Sequence, residues 1–296
     1  MTVAATLLLV ALALGTVAGP VLQRTAWPTR APRQGILAWQ ALTACTVLAL
    51  ALAGVAAVCF ALMDGRRPVA MIGSLGGGTL ALGVVAAVAL RVTCSLVSAR
   101  RHSGHLARGT ALAVGGLGEG IVVLDRSDLA AYSIPGRRPV VVVTSGAREV
   151  LAHAELRAVL AHEQAHLDRR HHRTLTVAAG LRSALGAFPT FARAEQQLAR
   201  LVEMEADDAA AASTDRRTVV HALGRLAGAL HPAPALGAGG VVVDRVRRLV
   251  GTAPLSPGRA RLAGSLGVAA PLALVAAFAT TTGQAVVDCV ALYSPL

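Results

Sequence analysis

The sequence predicts a mainly α membrane protein, with four transmembrane helices and an α+β domain inserted between the third and the fourth. Three observations predict it. Residues 1–23, 34–63, 68–90 and 262–287 are uncharged apolar blocks, each long enough to cross a hydrocarbon core as a helix. Nearly all remaining charge lies in one stretch, 98–261. Inside that stretch a β-branched run stands among segments of helical periodicity, so strand and helix are mixed there.

The composition agrees: 54% of residues are hydrophobic, 15% charged and 3% aromatic, with a mean hydropathy of +0.60, too apolar for an ordinary soluble domain. The expected division is three spans in 1–97, the domain in 98–261, and the fourth span with a short tail in 262–296. The first block has no basic residue ahead of it and is followed closely by two more, so it reads as a span and not as a cleaved leader. Arg24, Arg30 and Arg33 lie in the first loop, Arg100, Arg101 and Arg108 follow the third span, and Arg259 and Arg261 precede the fourth. Basic residues collect on the cytoplasmic side, which predicts both termini outside and the domain in the cytoplasm; Arg66 and Arg67, beside Asp64 in the second loop, weigh slightly against this.

The formal charge of +12 does not imply nucleic acid, because much of the arginine sits at span ends near headgroups and no aromatic platform for bases accompanies it. The bilayer itself is the expected partner. Cys45, Cys59, Cys94 and Cys289 lie in or near spans without a Cys-x-x-Cys pair, which excludes a thiolate zinc site and a disulfide framework.

Along the domain, the glycine-rich stretch 104–120 reads as a loose lead-in, and GIVVLDRSDLAAYSIPG (120–136) holds a strand candidate ending in a turn. RPVVVVTSGA (138–147) is a strand, either packed in a core or offering an edge to an extended substrate. Helical periodicity runs from Ala147 to about Arg170. TLTVAAGLRSALGAFPTFA (174–192) reads as a helix covering the site from the membrane side, with a re-entrant membrane segment as the alternative; Pro189 ends or kinks it. Further helices are expected at 191–212, 215–230 and 241–250, with HPAPALGAGG (231–240) as a loop. The arginines of VVVDRVRRLV (241–250) read as a solvated helix face.

The chemistry concentrates in VLAHEQAHLDRRHH (159–172). His162 and His166, four apart on a helix, bring their imidazoles to one face and can share a tetrahedral ion. Glu163 stands beside them, placed to take a proton from the attacking water and pass it to the leaving amine. This is the His-Glu-x-x-His pattern of zinc peptidases, and it makes the inserted domain a zincin-like α+β metallopeptidase domain with Zn2+ as the expected cofactor. Intramembrane cleavage is disfavoured, since Asp168, Arg169 and Arg170 keep the motif near water.

A catalytic zinc takes three protein ligands and leaves one position open. His172 has the spacing of a third histidine, but Arg169 stands where a chain-turning glycine is needed, so His171 and His172 are expected to be solvated or interfacial. His153 and His221 read as ordinary surface or packed histidines. In RLVEMEADDAA (200–210), Glu203 and Asp207 share a helix face, Glu203 as ligand and Asp207 orienting a ligand histidine; spacing alone leaves Glu205 open.

With HEQAHLDRR, EMEAD, AYSIPG before VVVVTSG, and three spans before and one after, the chain resembles the BlaR/MecR-type integral-membrane zinc metallopeptidases, which are related to the HtpX-type peptidases. The resemblance implies Glu203 as third metal ligand and Asp207 as the acid behind the site. It also implies a cytoplasmic-side protease acting on a protein or peptide substrate, such as a transcriptional repressor, after an external signal. The chain ends soon after the fourth span, so β-lactam sensing through a penicillin-binding domain is not expected. Two other readings stand beside this one, a quality-control protease of the HtpX type and a non-catalytic scaffold using zinc structurally. The scaffold reading leaves Glu163 without a purpose.

Overall fold

The computed structural model describes residues 2–63, 68–110, 116–118, 120–230 and 238–293. The second loop with Asp64, Arg66 and Arg67, part of the glycine-rich lead-in, most of the 231–240 loop and the extreme C-terminus lie outside the described residues.

Four helical stretches among the described residues are long and apolar enough to cross a membrane: Val3–Arg24, Pro32–Leu62, Ile72–His102 and Pro257–Thr280. The first consists of α1 (Thr2–Ala13), a π-helical turn (Leu14–Ala18) and α2 (Gly19–Arg24). A short α3 (Trp27–Arg30) leads into α4 (Pro32–Met63), and α5 (Pro68–Thr110) carries the third span. Here the expectation of a span ending at 90 and a loose lead-in from 104 is corrected: the helix runs on to Thr110. Isolated glycines cost a helix only about 1 kcal/mol each, which neighbouring turns absorb.

The domain begins with four short strands, β1 (Gly116–Gly118), β2 (Ile121–Leu124), β3 (Ala131–Ile134) and β4 (Val140–Thr144), ordered β1-β2-β4-β3. β4 runs parallel to β2 and antiparallel to β3, and Val141, Val142 and Val143 are buried. The valine run is therefore an inner strand, beside β2, and β3 is one of the two edges. A tight corner follows β4, where a Cβ on Gly146 would stand 2.3 Å from the Ser127 carbonyl oxygen, so only glycine fits.

The helix expected from 147 to 170 is two, α6 (Ser145–Val150) and α7 (His153–Asp168). α7 starts where it does because the Glu155 carboxylate folds back to accept the Ala152 N–H at 2.9 Å. α8 (His171–Leu185), α9 (Pro189–Ser213), α10 (Arg216–Leu230) and α11 (Ala238–Gly251) complete the domain, and α12 (Pro257–Tyr293) carries the fourth span. Pro189 opens α9, where its missing N–H costs nothing.

The α8–α9 hairpin does more than cover the site. Leu185, Phe188 and Phe191 at its tip cluster with Val47 of α4 and Val84 and Val88 of α5, all inside the spans. Phe188 also fills the space beside Gly15 of the first span. The hairpin thus packs against the middle of the span helices as well as over the site. Arg182, the charge inside its apolar run, is joined to Glu195 on the other arm at 2.8 Å.

Thr190 ties this hairpin to the first span. The Thr190 hydroxyl bridges the two ends of the π turn, donating to the Leu14 carbonyl at 2.8 Å and accepting from the Gly19 N–H at 3.2 Å. A Cβ on Gly19 would lie 2.5 Å from that oxygen, so this position requires glycine. Leu14, Trp39 and Leu42 of the spans then share one core cluster with Leu198, Leu201, Val202 and Met204 of α9. Among lipid tails such contacts hold by packing and by polar links, since apolar transfer contributes little between helices. Thr190→Val should therefore lower the thermal stability of the detergent-solubilised protein by the equivalent of about 1–3 kcal/mol, the cost of leaving buried polar groups unpaired, while Thr190→Ser stays near wild type. Calorimetry on both variants checks this.

Candidate metal centre

α7 presents His162 and His166 one turn apart, with their Nε2 atoms 3.1 Å from each other. α9 brings Glu203 across from the other side, Oε2 at 3.5 Å from His162 Nε2 and Oε1 at 3.5 Å from His166 Nε2. A tetrahedral zinc bound at about 2.0–2.1 Å needs ligand atoms roughly 3.3–3.5 Å apart. Each imidazole has one Glu203 oxygen at that distance, and the two imidazole nitrogens stand about 0.2 Å closer than its lower bound. Two imidazoles and one carboxylate thus converge as a donor set suited to zinc with a fourth position open.

Asp207, one turn beyond Glu203 and fully buried, sits behind His162. Its Oδ1 lies 3.1 Å from His162 Nδ1, which fixes the proton there and leaves Nε2 as the ligand atom. Arg245 of α11 grips the same carboxylate with two hydrogen bonds, 2.8 and 2.6 Å, and reaches Glu203 Oε2 at 3.0 Å. The expectation of a solvated arginine face on α11 is corrected at two positions. Arg245 is buried, and so is Arg248, which bonds Asp208 at 2.6 Å and the Thr29 and Met204 carbonyls. Only Arg247 of that run stays solvated, its side chain 77% exposed and 3.8 Å from Asp244 one turn back.

Behind His166 stands a second support that the sequence reading missed. His171 is 2% exposed, not solvated. Its Nδ1 lies 3.0 Å from His166 Nδ1 and its Nε2 lies 2.9 Å from Glu205 Oε2, while Arg169 pairs with the other Glu205 oxygen. One proton assignment satisfies the chain: His166 Nδ1–H donates to His171 Nδ1, and His171 Nε2–H donates to Glu205. That leaves His166 Nε2 free to bind metal. The return path is made by Arg170, the one non-glycine residue with positive φ among the described residues (53°), which caps α8 in the left-handed region. Glu205 thus faces His171 and Arg169, and neither it nor His172 belongs to the cluster of His162, His166 and Glu203. His153 and His221 are exposed, as expected.

The electrostatics follow from these contacts. Burial opposes a charged His162, but its hydrogen bonds to Asp207 and Glu203 outweigh burial and raise its pKa to about 9; the same negative field favours a dication. Burial and the facing His162 lower His166 to about 4. Burial would raise Glu203, yet His162 and Arg245 bring it below the ordinary carboxylate value. Glu163 moves the other way: burial raises its pKa, offset in part by His162 and by hydrogen bonds from Ser133. A carboxyl shifted toward neutrality suits proton transfer in both directions. Glu163 lines a cavity of about 210 Å³ together with His162, Glu203 and Arg245, whose remaining wall is apolar, with Val159, Val219 and Leu223. Ser133 belongs to β3, so the edge strand borders this cavity through Ala131.

Residues 105–196 match the family model described as Peptidase family M48. That segment contains His162, Glu163, His166 and His171; Glu203, Asp207 and Arg245 lie beyond it and join the centre through the fold alone. The match indicates a metallopeptidase hydrolase of a zinc-dependent family, and the four apolar helices are consistent with a multi-pass membrane protein. No curated protein and no solved structure matches the chain.

Two predictions come from this geometry. Metal analysis of purified protein should find about one zinc per chain, absent in Glu203→Ala. Glu205→Ala should keep that stoichiometry but bind 10–100-fold more weakly in a chelator competition, because His171 loses its anchor. Acid unfolding tests Asp207, whose pKa burial would raise but which Arg245 and His162 hold at about 2 against an ordinary 3.8. Its folded value lies below the unfolded one, so it adds roughly 2 kcal/mol above pH 3.8, lost as the pH falls toward 2. Asp207→Asn should flatten the stability profile across that window.

Proposed function

We propose that this protein is a membrane-anchored zinc endopeptidase of the BlaR/MecR type, cleaving a cytoplasmic regulator such as a transcriptional repressor in response to a signal. The observation that carries the reading is the convergence of His162, His166 and Glu203, whose ligand atoms lie within 4.8 Å of one another, with Glu163 lining the same cavity. His162, His166 and Glu203 would hold the ion, which when bound acidifies a water and polarises the scissile carbonyl. Glu163 takes the proton of the attacking water and delivers it to the amide nitrogen as the C–N bond breaks. The free edge of β3 lets an extended peptide pair with it, and the apolar wall accepts one of its side chains.

The orientation belongs to the same reading. The first loop touches the domain, through Arg30 to the Ala253 carbonyl and Arg248 to the Thr29 carbonyl. These contacts bring the first loop, with Arg24, Arg30 and Arg33, beside the domain, and their charge supports a cytoplasmic side for both.

Glu163→Gln should keep its zinc and lose hydrolysis by about 10²–10⁴-fold. Proteins held by this variant in cells and identified by mass spectrometry decide the substrate class. One DNA-binding regulator supports the proposal; many unrelated membrane proteins would replace it with quality control of the HtpX type. Unchanged biological response in Glu163→Gln would instead favour a non-catalytic scaffold.

A further inference from the structure

A second cavity, of about 680 Å³, opens between α4, α5 and the α8–α9 hairpin. Its walls are apolar residues of the spans and of α8, among them Leu48, Val85, Val88 and Leu181. Size and lining fall in the range of small-molecule sites, which are mostly apolar with a few placed polar groups. The polar groups gather toward one end: Gln40 and Thr174, hydrogen-bonded to each other at 3.1 Å, and Arg173. From Arg173 to Leu181, α8 follows the cavity for about 12 Å.

Two features identify the occupant. Leu48 (46% exposed), Ala44 and Ala89 line the cavity and yet are exposed, so it opens sideways at mid-span level, where the surroundings are acyl chains. Arg173 has no carboxylate partner among the described residues, and it stands three residues after Arg170 at the N-terminal end of α8, with the apolar part of the cavity farther along the helix, where Val92 packs beside Gly180. The positive potential of this corner also shows at His172, whose pKa is lowered by burial and then by Arg173 and Arg170. An apolar slot open to the bilayer with an unpaired guanidinium at its polar end is complementary to one molecule class, an anionic lipid.

We propose that this cavity is a binding site for an anionic phospholipid, with an acyl chain between α4 and α5 and the phosphate on Arg173. The phosphate accepts from the guanidinium, and Gln40 and Thr174 border it. The site is independent of peptide hydrolysis. It adjoins the metal centre, because Arg173 lies in the first turn of α8, two residues after His171.

The test uses the full-length protein in neutral detergent, with zinc content as the folding control. Phosphatidylglycerol and phosphatidylcholine with the same acyl chains are compared by native mass spectrometry and thermal shift. The wild type should bind phosphatidylglycerol at least tenfold more tightly, and glycerol phosphate, which lacks the chains, should give no shift. Arg173→Gln should reduce phosphatidylglycerol binding about tenfold, to the level of phosphatidylcholine, with Arg173→Lys close to wild type. Ala89→Phe, which fills the slot, should weaken both lipids. Equal retention of the two lipids by the wild type would overturn the proposal, leaving only annular lipid. So would an unchanged preference in a zinc-loaded Arg173→Gln, or stabilisation by glycerol phosphate equal to that by phosphatidylglycerol. Should Arg173→Gln lose its zinc, the wild-type lipid preference and the response of Ala89→Phe decide alone.

Discussion

The buried guanidinium of Arg245 is the interaction on which the centre depends. Two carboxylates from one face of α9, Glu203 and Asp207, converge on two histidines of α7 in a poorly solvated place. Held together without a counter-charge they would repel each other and take up protons, and Glu203 would lose its value as a ligand. Arg245 supplies that charge with fixed, forked geometry, binding Asp207 through two nitrogens and touching Glu203 with a third. A lysine could not reach both in this way. α11 is thus part of the centre, although it carries no ligand.

The two histidines are supported differently. His162 leans on a carboxylate directly, His166 through a second imidazole, and both chains end on an arginine, Arg245 in one case and Arg169 in the other. Such relays set the tautomer and ring orientation before any ion arrives. The left-handed Arg170 belongs to this arrangement, since a helix continuing straight past Asp168 would carry His171 away from His166. Strain of this kind persists where surrounding contacts fix it, and here a buried histidine and an ion pair do so.

What the sequence discloses follows from the range of each interaction. His162, Glu163 and His166 are legible because one helix turn links them, and the Glu203–Asp207 pair is legible for the same reason. The four spans are legible because lipid imposes length and apolarity on a contiguous segment. Arg245 and His171 are not, since their partners lie 38 and 34 residues away and charged or imidazole side chains look solvated until a partner is known. The corner at Arg170 carries no glycine to announce it. The hairpin is half legible: its apolar run is plain, but Arg182 reads as a reason to stay in water until Glu195 is seen to neutralise it. The inner position of β4 and the edge position of β3 depend on pairing order, which local patterning does not encode.

α9 has a mechanical meaning that goes beyond its contacts. At one end Thr190 is locked into the first span, and some 20 Å along the same unbroken helix Glu203 faces the two histidines of α7. One rigid element therefore carries both the tie to the first span and the third donor of the cluster, while α7, which brings the two histidines, packs against that same element. The anchor in the spans and the donor set are thus held in one frame, which the connecting loops alone would not supply.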